Sequence, residues 1–174
     1  FGDDSAIRAH YPAMKRCMAH MEEATMKDYI MTKDQYGDWC MPPESQELIH
    51  SKDPARKTDG AILSTTVYYD LLNKMIGFAR ICGQDADISG YESLAAKIKA
   101  AYNAKFFNKE TAEYGNNTVT ANILSLRLGL VPEGYEGKVF SNIVKKTEED
   151  FNGHVSTGVL GIQHLMRGLT EYGR

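Results

Sequence analysis

The sequence predicts an all-α protein assembled from αα-hairpins, and three observations carry that prediction. Apolar residues recur at three- and four-residue steps in one segment after another, the spacing of helices with one buried face. Gly83, Gly129 and Gly173 close such segments at intervals of about 45 residues, each holding two helices and a loop. No run alternates apolar and polar residues as a half-buried strand does.

The first helix is expected from Ser5 to about Glu23, capped by Asp4 or Ser5, with Ile7, Tyr11, Met14, Met18 and Met21 on one face. Pro12 stands early in it, and a later start is the alternative. Residues 24–57 read as a long irregular connection, of the length that functional loops have. The second helix runs from Thr58 or Asp59 to Ile81, with Leu63, Val67, Leu71, Met75 and Phe78 as its stripe and Gly83 as its left-handed stop. The third runs from about Ile88 to Phe106 on Leu94, Ile98, Ala101 and Tyr102. Residues 107–116 suggest a turn or short hairpin. The fourth helix spans about Thr118 to Leu128, and Gly129 with Pro132 stops it. The fifth spans Glu136 to Phe151, and the last begins at Ser156 or Thr157 and ends at Gly173.

Two architectures stack αα-hairpins: an open solenoid and a closed toroid with inner and outer rings of helices. Loop content favours the toroid. Its loops surround a cavity mouth, and the loops here are long or rich in Trp, His, Thr and Gly. Three hairpins are about half of a six-hairpin toroid. The chain opens on Phe1-Gly2-Asp3 and closes on Tyr172-Gly173-Arg174, both of which read as helix ends. Residues 1–174 are therefore expected to be one fragment of a single larger domain.

Composition narrows the function. With 43% hydrophobic and 25% charged residues, the chain can bury a core and is not a disordered segment. A net charge of −3, with Lys and Arg scattered, gives no surface for nucleic acid. No apolar run reaches the roughly 18 residues that a membrane crossing needs. Cys17, Cys40 and Cys82 are odd in number, without CxxC or metal-ligand spacing, and read as free thiols. They leave the compartment open.

Two loops carry candidate chemistry. In Gly37-Asp38-Trp39, Trp39 is the single Trp of the chain and supplies a flat apolar platform suited to a sugar ring, while Asp38 can accept hydrogen bonds from hydroxyls. The plainer reading is an indole plugging the loop onto the core and a carboxylate capping a turn. In Gly153-His154-Val155-Ser156-Thr157-Gly158, His154 could bond a ligand hydroxyl or move a proton, and Ser156 or Thr157 is a natural helix cap. Glu44, after Pro42-Pro43, is a weaker acid–base candidate. His10, His20, His50 and His164 form no metal-ligand set, and no phosphate loop or nucleophile elbow is present.

Taken in order, Phe1-Gly2-Asp3, Tyr11-Pro12-Ala13-Met14, Gly37-Asp38-Trp39, Gly129-Leu130-Val131-Pro132 and His154 to Gly158 have the sequence and spacing of one family. The chain resembles the catalytic domain of the bacterial α-L-rhamnosidases, glycoside hydrolase family 78, over essentially its whole length. The resemblance implies an (α/α)6 barrel with its site at the mouth. It implies removal of terminal α-L-rhamnose from glycosides or polysaccharides by an inverting reaction, with no obligatory cofactor. In that reaction one carboxylic acid protonates the leaving oxygen while a carboxylate activates water on the far face. The family's general acid sits in an Asp-rich, Arg-containing motif upstream of this stretch, and its general base in a Trp-Glu type motif downstream. Neither motif occurs here, so no catalytic residue is assigned and the isolated chain is expected to be inactive. Trp39 matches the family Trp that lines the rhamnose pocket, and Asp38 its neighbour in the same motif. His154 and Thr157 match the His/Thr-Gly motif at a late barrel helix. Val119 stands where members often carry Gln ahead of Thr-Ala, so no polar contact is expected from that position.

The expected partner is a rhamnose-containing carbohydrate, with no nucleic acid and no membrane. A half-toroid exposes faces that its missing hairpins cover, so the fragment is expected either to self-associate through them or to remain loosely folded. Two alternatives remain at this point: another toroid glycosidase or polysaccharide lyase, for which Tyr36 with His154 is a thin pair, or a non-catalytic α-solenoid that binds proteins.

Overall fold

A computed structural model describes residues 2–33, 37–41 and 57–173 of the chain. Its helices are α1 (Ser5–Thr25), α2 (Gly60–Cys82), α3 (Asp85–Phe106), α4 (Val119–Arg127), α5 (Glu136–Glu149) and α6 (Val159–Glu171). Two small antiparallel hairpins join them. One pairs β1 (Met26–Lys27) with β2 (Ile30–Met31), the other β3 (Phe107–Asn108) with β4 (Glu113–Tyr114). The turn or short hairpin expected at 107–116 is the β3–β4 pair; strands of two residues are too short to leave an alternating pattern, which is why the sequence showed nothing at 26–31.

α1 and α3 pack on α2, α5 packs on α4, α2 meets α4, and α4 packs against α6. Alternate helices therefore touch in succession while the others back them, the two-layer order of an αα-hairpin toroid. At the centre lies α4, buried at every position from Val119 to Leu126. Around it Tyr102, Phe106, Phe107, Tyr114 and Tyr135 form a chain of ring contacts with centroids 4.9–5.5 Å apart.

The helix boundaries agree with the sequence in places and differ in others. α1 runs through Pro12 from Ser5 without a break. The proline costs one backbone bond, the one its missing N–H would make to Arg8, and Tyr11, packed beside it and hydrogen-bonded to Asp87 at 2.9 Å, anchors that turn. α2 does start at the Asp59 cap, whose Oδ1 accepts the Ala61 N–H at 2.7 Å, and it does stop at Gly83 in the left-handed conformation. Its predicted stripe is wrong in part: Val67 is exposed while Ile62 and Leu72 are fully buried. A helix that packs against three others is buried around most of its girth, and a single-face rule under-reads it. α3 begins at Asp85 rather than Ile88, with Asp85 and Asp87 placed at the positive end of the helix dipole.

Candidate functional site

The site is built at the end of α4 and α6 where both helices begin. α4 opens with a local cap: the Thr118 hydroxyl accepts the Ala121 N–H at 3.2 Å. α6 does not. Its N-cap position is Gly158, which has no side chain to give, and its first turn contains no acidic residue. Neither Ser156 nor Thr157 caps it, contrary to the sequence expectation; both lie outside the helix with buried hydroxyls.

The missing cap comes from Asp38, 120 residues earlier in the chain. Asp38 Oδ2 accepts the Gly158 N–H at 2.7 Å, and Oδ1 accepts those of Leu160 at 3.0 Å and Gly161 at 3.2 Å. The Thr120 hydroxyl, on the first turn of α4, donates to Oδ2 as well. Next along, the Trp39 carbonyl accepts the Val159 N–H at 2.8 Å. The 37–41 segment is thus pinned to the start of α6 by its backbone and by one carboxylate.

Two glycines make this approach possible. A Cβ on Gly158 would stand 2.5 Å from the Asp38 carbonyl oxygen. A Cβ on Gly161 would stand 2.6 Å from the Thr120 hydroxyl oxygen and 3.0 Å from Asp38 Oδ2. Neither distance admits a side chain. Further along, Gly168 lets α6 close on Ile123 of α4, and Arg127 forks onto Glu171 at 2.5 and 2.8 Å to tie the far end.

What the segment displays is the indole. Trp39 is 70% exposed although its backbone is held. Val155, Val159 and Leu160 are also exposed, at and just before the start of α6. His154 is exposed in a turn where its N–H meets the Phe151 carbonyl at 2.9 Å. Ser156 and Thr157 are 2% and 3% exposed, and neither hydroxyl has a hydrogen-bond partner among the described residues. His164, further along α6, also has an Nδ1 without a partner among the described residues; burial, then the nearby Arg127, holds its pKa below the ordinary imidazole value. Of the predicted residues, the structure thus brings Asp38, Trp39 and Thr157 together around the entrance of α6, with His154 on the approach to it. Tyr36, Pro42, Pro43 and Glu44 lie outside the described residues. Sequence reasoning missed Thr120 and Gly161, because their roles exist only once α4, α6 and the 37–41 segment are adjacent.

With that geometry in view, comparison with known proteins is decisive. The sequence profile of the bacterial alpha-L-rhamnosidase six-hairpin glycosidase domain matches residues 1–174. The chain belongs to this family. It is 29% identical over 182 residues to an alpha-L-rhamnosidase of Formosa agariphila, covering 100% of this chain and 18% of that protein. A second alpha-L-rhamnosidase of the same organism is 26% identical, again over 18% of its length. The solved alpha-L-rhamnosidase of Dictyoglumus thermophilum superposes with a TM-score of 0.87 at 29% identity, over 99% of this chain and 19% of that one. The fold is also that of the Streptomyces avermitilis alpha-L-rhamnosidase complexed with L-rhamnose, with a TM-score of 0.84 at 21% identity over 99% of this chain and 15% of that one. The six-hairpin family sets the α-solenoid aside. This rhamnosidase-family chain spans about 18% of the length of the curated relatives it matches.

Proposed function

We propose that residues 1–174 form about half of a single (α/α)6 barrel in an enzyme that removes terminal α-L-rhamnose from glycosides or polysaccharides with inversion. The observation that carries this reading is the presentation of Trp39, an exposed indole on a backbone pinned to α6, in a chain matched from end to end by the rhamnosidase family. With the backbone held, an indole has only two χ angles left to order when a ligand lands on it, which keeps the entropic cost of binding low. Rhamnose is a 6-deoxy sugar, and its methyl group and C–H face suit an indole. His154, with Thr157 once its hydroxyl is reached, supplies polar contacts at the same edge. Two carboxylic groups far enough apart to admit water complete an inverting site; in this reading both lie in parts of the enzyme outside residues 1–174. The apolar side chains exposed on α6, Val159, Leu160 and Met166, pack against neighbouring parts of the whole enzyme, and the isolated chain self-associates through them.

The test is release of p-nitrophenol from p-nitrophenyl α-L-rhamnoside by the full-length enzyme and by this chain alone. Turnover by the full-length enzyme only is the expected result. A full-length enzyme inactive on this substrate but active on a uronic-acid polymer would replace the rhamnosidase reading with a lyase.

A further inference from the structure

We infer that Asp38 is a positioning residue, closing the N-terminus of α6 from outside the helix and thereby fixing the backbone that displays Trp39. This deepens the function proposed above and rests on it. Three facts lead there. First, α6 lacks a cap of its own, and three of the N–H groups at its entrance, those of Gly158, Leu160 and Gly161, end on the Asp38 carboxylate. A carboxylate at that end also meets the positive pole of the helix dipole. Second, with the Thr120 hydroxyl the carboxylate receives four donors, two on each oxygen. A carboxylate offers about four lone-pair sites. None is left for a sugar hydroxyl, so Asp38 acts through its neighbours and not by touching substrate. Third, the next residue is Trp39, and its carbonyl continues the same set of bonds by accepting the Val159 N–H. The position of the indole is therefore written into the register of the 37–41 segment on α6. Gly158 and Gly161 keep the space that this register needs.

The chemistry also states what a substitute cannot do. Asn in place of Asp38 presents one acceptor oxygen and one amino group, and the amino group would face N–H donors. One side of the junction must open. Because the bonds join the Trp39 segment, α4 and α6, their loss moves the platform and not merely the stability.

The experiment is a double-mutant cycle in the full-length enzyme with Asp38→Asn and Trp39→Ala, read as kcat and KM on p-nitrophenyl α-L-rhamnoside and as melting temperature. Trp39→Ala alone should lower kcat/KM by about thirtyfold, the scale of a lost aromatic anchor. Asp38→Asn alone should lower it by about tenfold, chiefly through KM, and should lower the melting temperature. In the Trp39→Ala background Asp38→Asn should change kcat/KM by less than about twofold while still lowering the melting temperature. Additive kinetic losses would mean that Asp38 touches the sugar itself and would overturn the inference while leaving the rhamnosidase reading intact. Wild-type kinetics with a lowered melting temperature would make Asp38 a structural cap only, which also overturns it. Wild-type kinetics for Trp39→Ala would instead remove the platform, and with it the reading on which the inference rests. Thr120→Val, which deletes one of the four donors and keeps the shape, serves where Asp38→Asn fails to fold; it should reproduce the same non-additivity on a smaller scale.

Discussion

Around α4, the buried side chains of Thr118, Asn122 and Ser125 all find partners, whereas at the entrance of α6 the equally buried hydroxyls of Ser156 and Thr157 find none among the described residues. The α4 network is closed on itself. Thr118 meets Thr58 at 2.6 Å, Asn122 accepts the Tyr114 N–H at 2.9 Å and donates to Asn117 at 2.7 Å, and Ser125 accepts the Tyr102 hydroxyl at 2.7 Å. A satisfied buried network rigidifies a core and specifies one arrangement. A buried hydroxyl left without a partner costs about 1–3 kcal/mol, so the two sites differ in how far the described residues satisfy them. The core of this chain is built to fold. The entrance of α6 is held in place from afar and left open.

Four variants probe the difference between the two regions. Tyr102→Ala strikes the closed side: the ring is fully buried against Phe106 and Tyr114, and its loss should cost about 4 kcal/mol, read as a collapse of the cooperative circular-dichroism melt. A small shift would mean that the α4 core is less close-packed than it looks. Gly161→Ala strikes the α6 entrance. The added methyl meets Thr120, Thr157 and Asp38, and overpacking of this kind should cost about 2 kcal/mol. Because the collision falls on the junction, kcat/KM of the full-length enzyme should fall with it; a stability loss with unchanged kinetics would separate the two. Thr157→Val should act oppositely on the two readouts. Removing an unpartnered buried hydroxyl at constant shape should leave stability unchanged or raise it by about 1 kcal/mol, while KM for the rhamnoside rises. A destabilised variant would show that the hydroxyl is bonded after all.

The smallest effect is expected from His164. Its folded-state pKa lies below the ordinary value of 6.5, mainly through burial and then through Arg127. The unfolded chain therefore takes up a proton as pH falls through about 6.5 while the folded chain resists it. Stability is fully present above that pH and declines below it. His164→Gln should flatten the melting-temperature profile between about pH 7 and the more acidic end of the imidazole range, and an unchanged slope would assign the loss to other groups.

Much of the fold was legible because its signals are local. The Asp59 cap, the Gly83 and Gly129 stops and the 3.6-residue apolar spacing act within a few residues of themselves. Burial around α2 was less legible, since how many helices surround a helix is not a property of its own sequence. The start of α6 was misread for the same reason. Ser156 and Thr157 look like caps in the chain, yet a stronger acceptor with a full charge arrives from Asp38 and moves the cap to Gly158.

For the site, the parts are readable along the chain: one Trp beside an Asp, a His and Thr before a glycine, and their resemblance to one family's motifs. What each part does follows from how the helices pack. The packing sets the Asp38 carboxylate against α6 instead of solvent, leaves the Trp39 ring exposed, and buries Thr157 with no hydroxyl partner among the described residues. The physical reason is range. Capping glycines and helical stripes are set by bonds within a turn of helix, whereas the junction is made of hydrogen bonds between residues up to 123 positions apart, which require α4, α6 and the 37–41 segment to be adjacent.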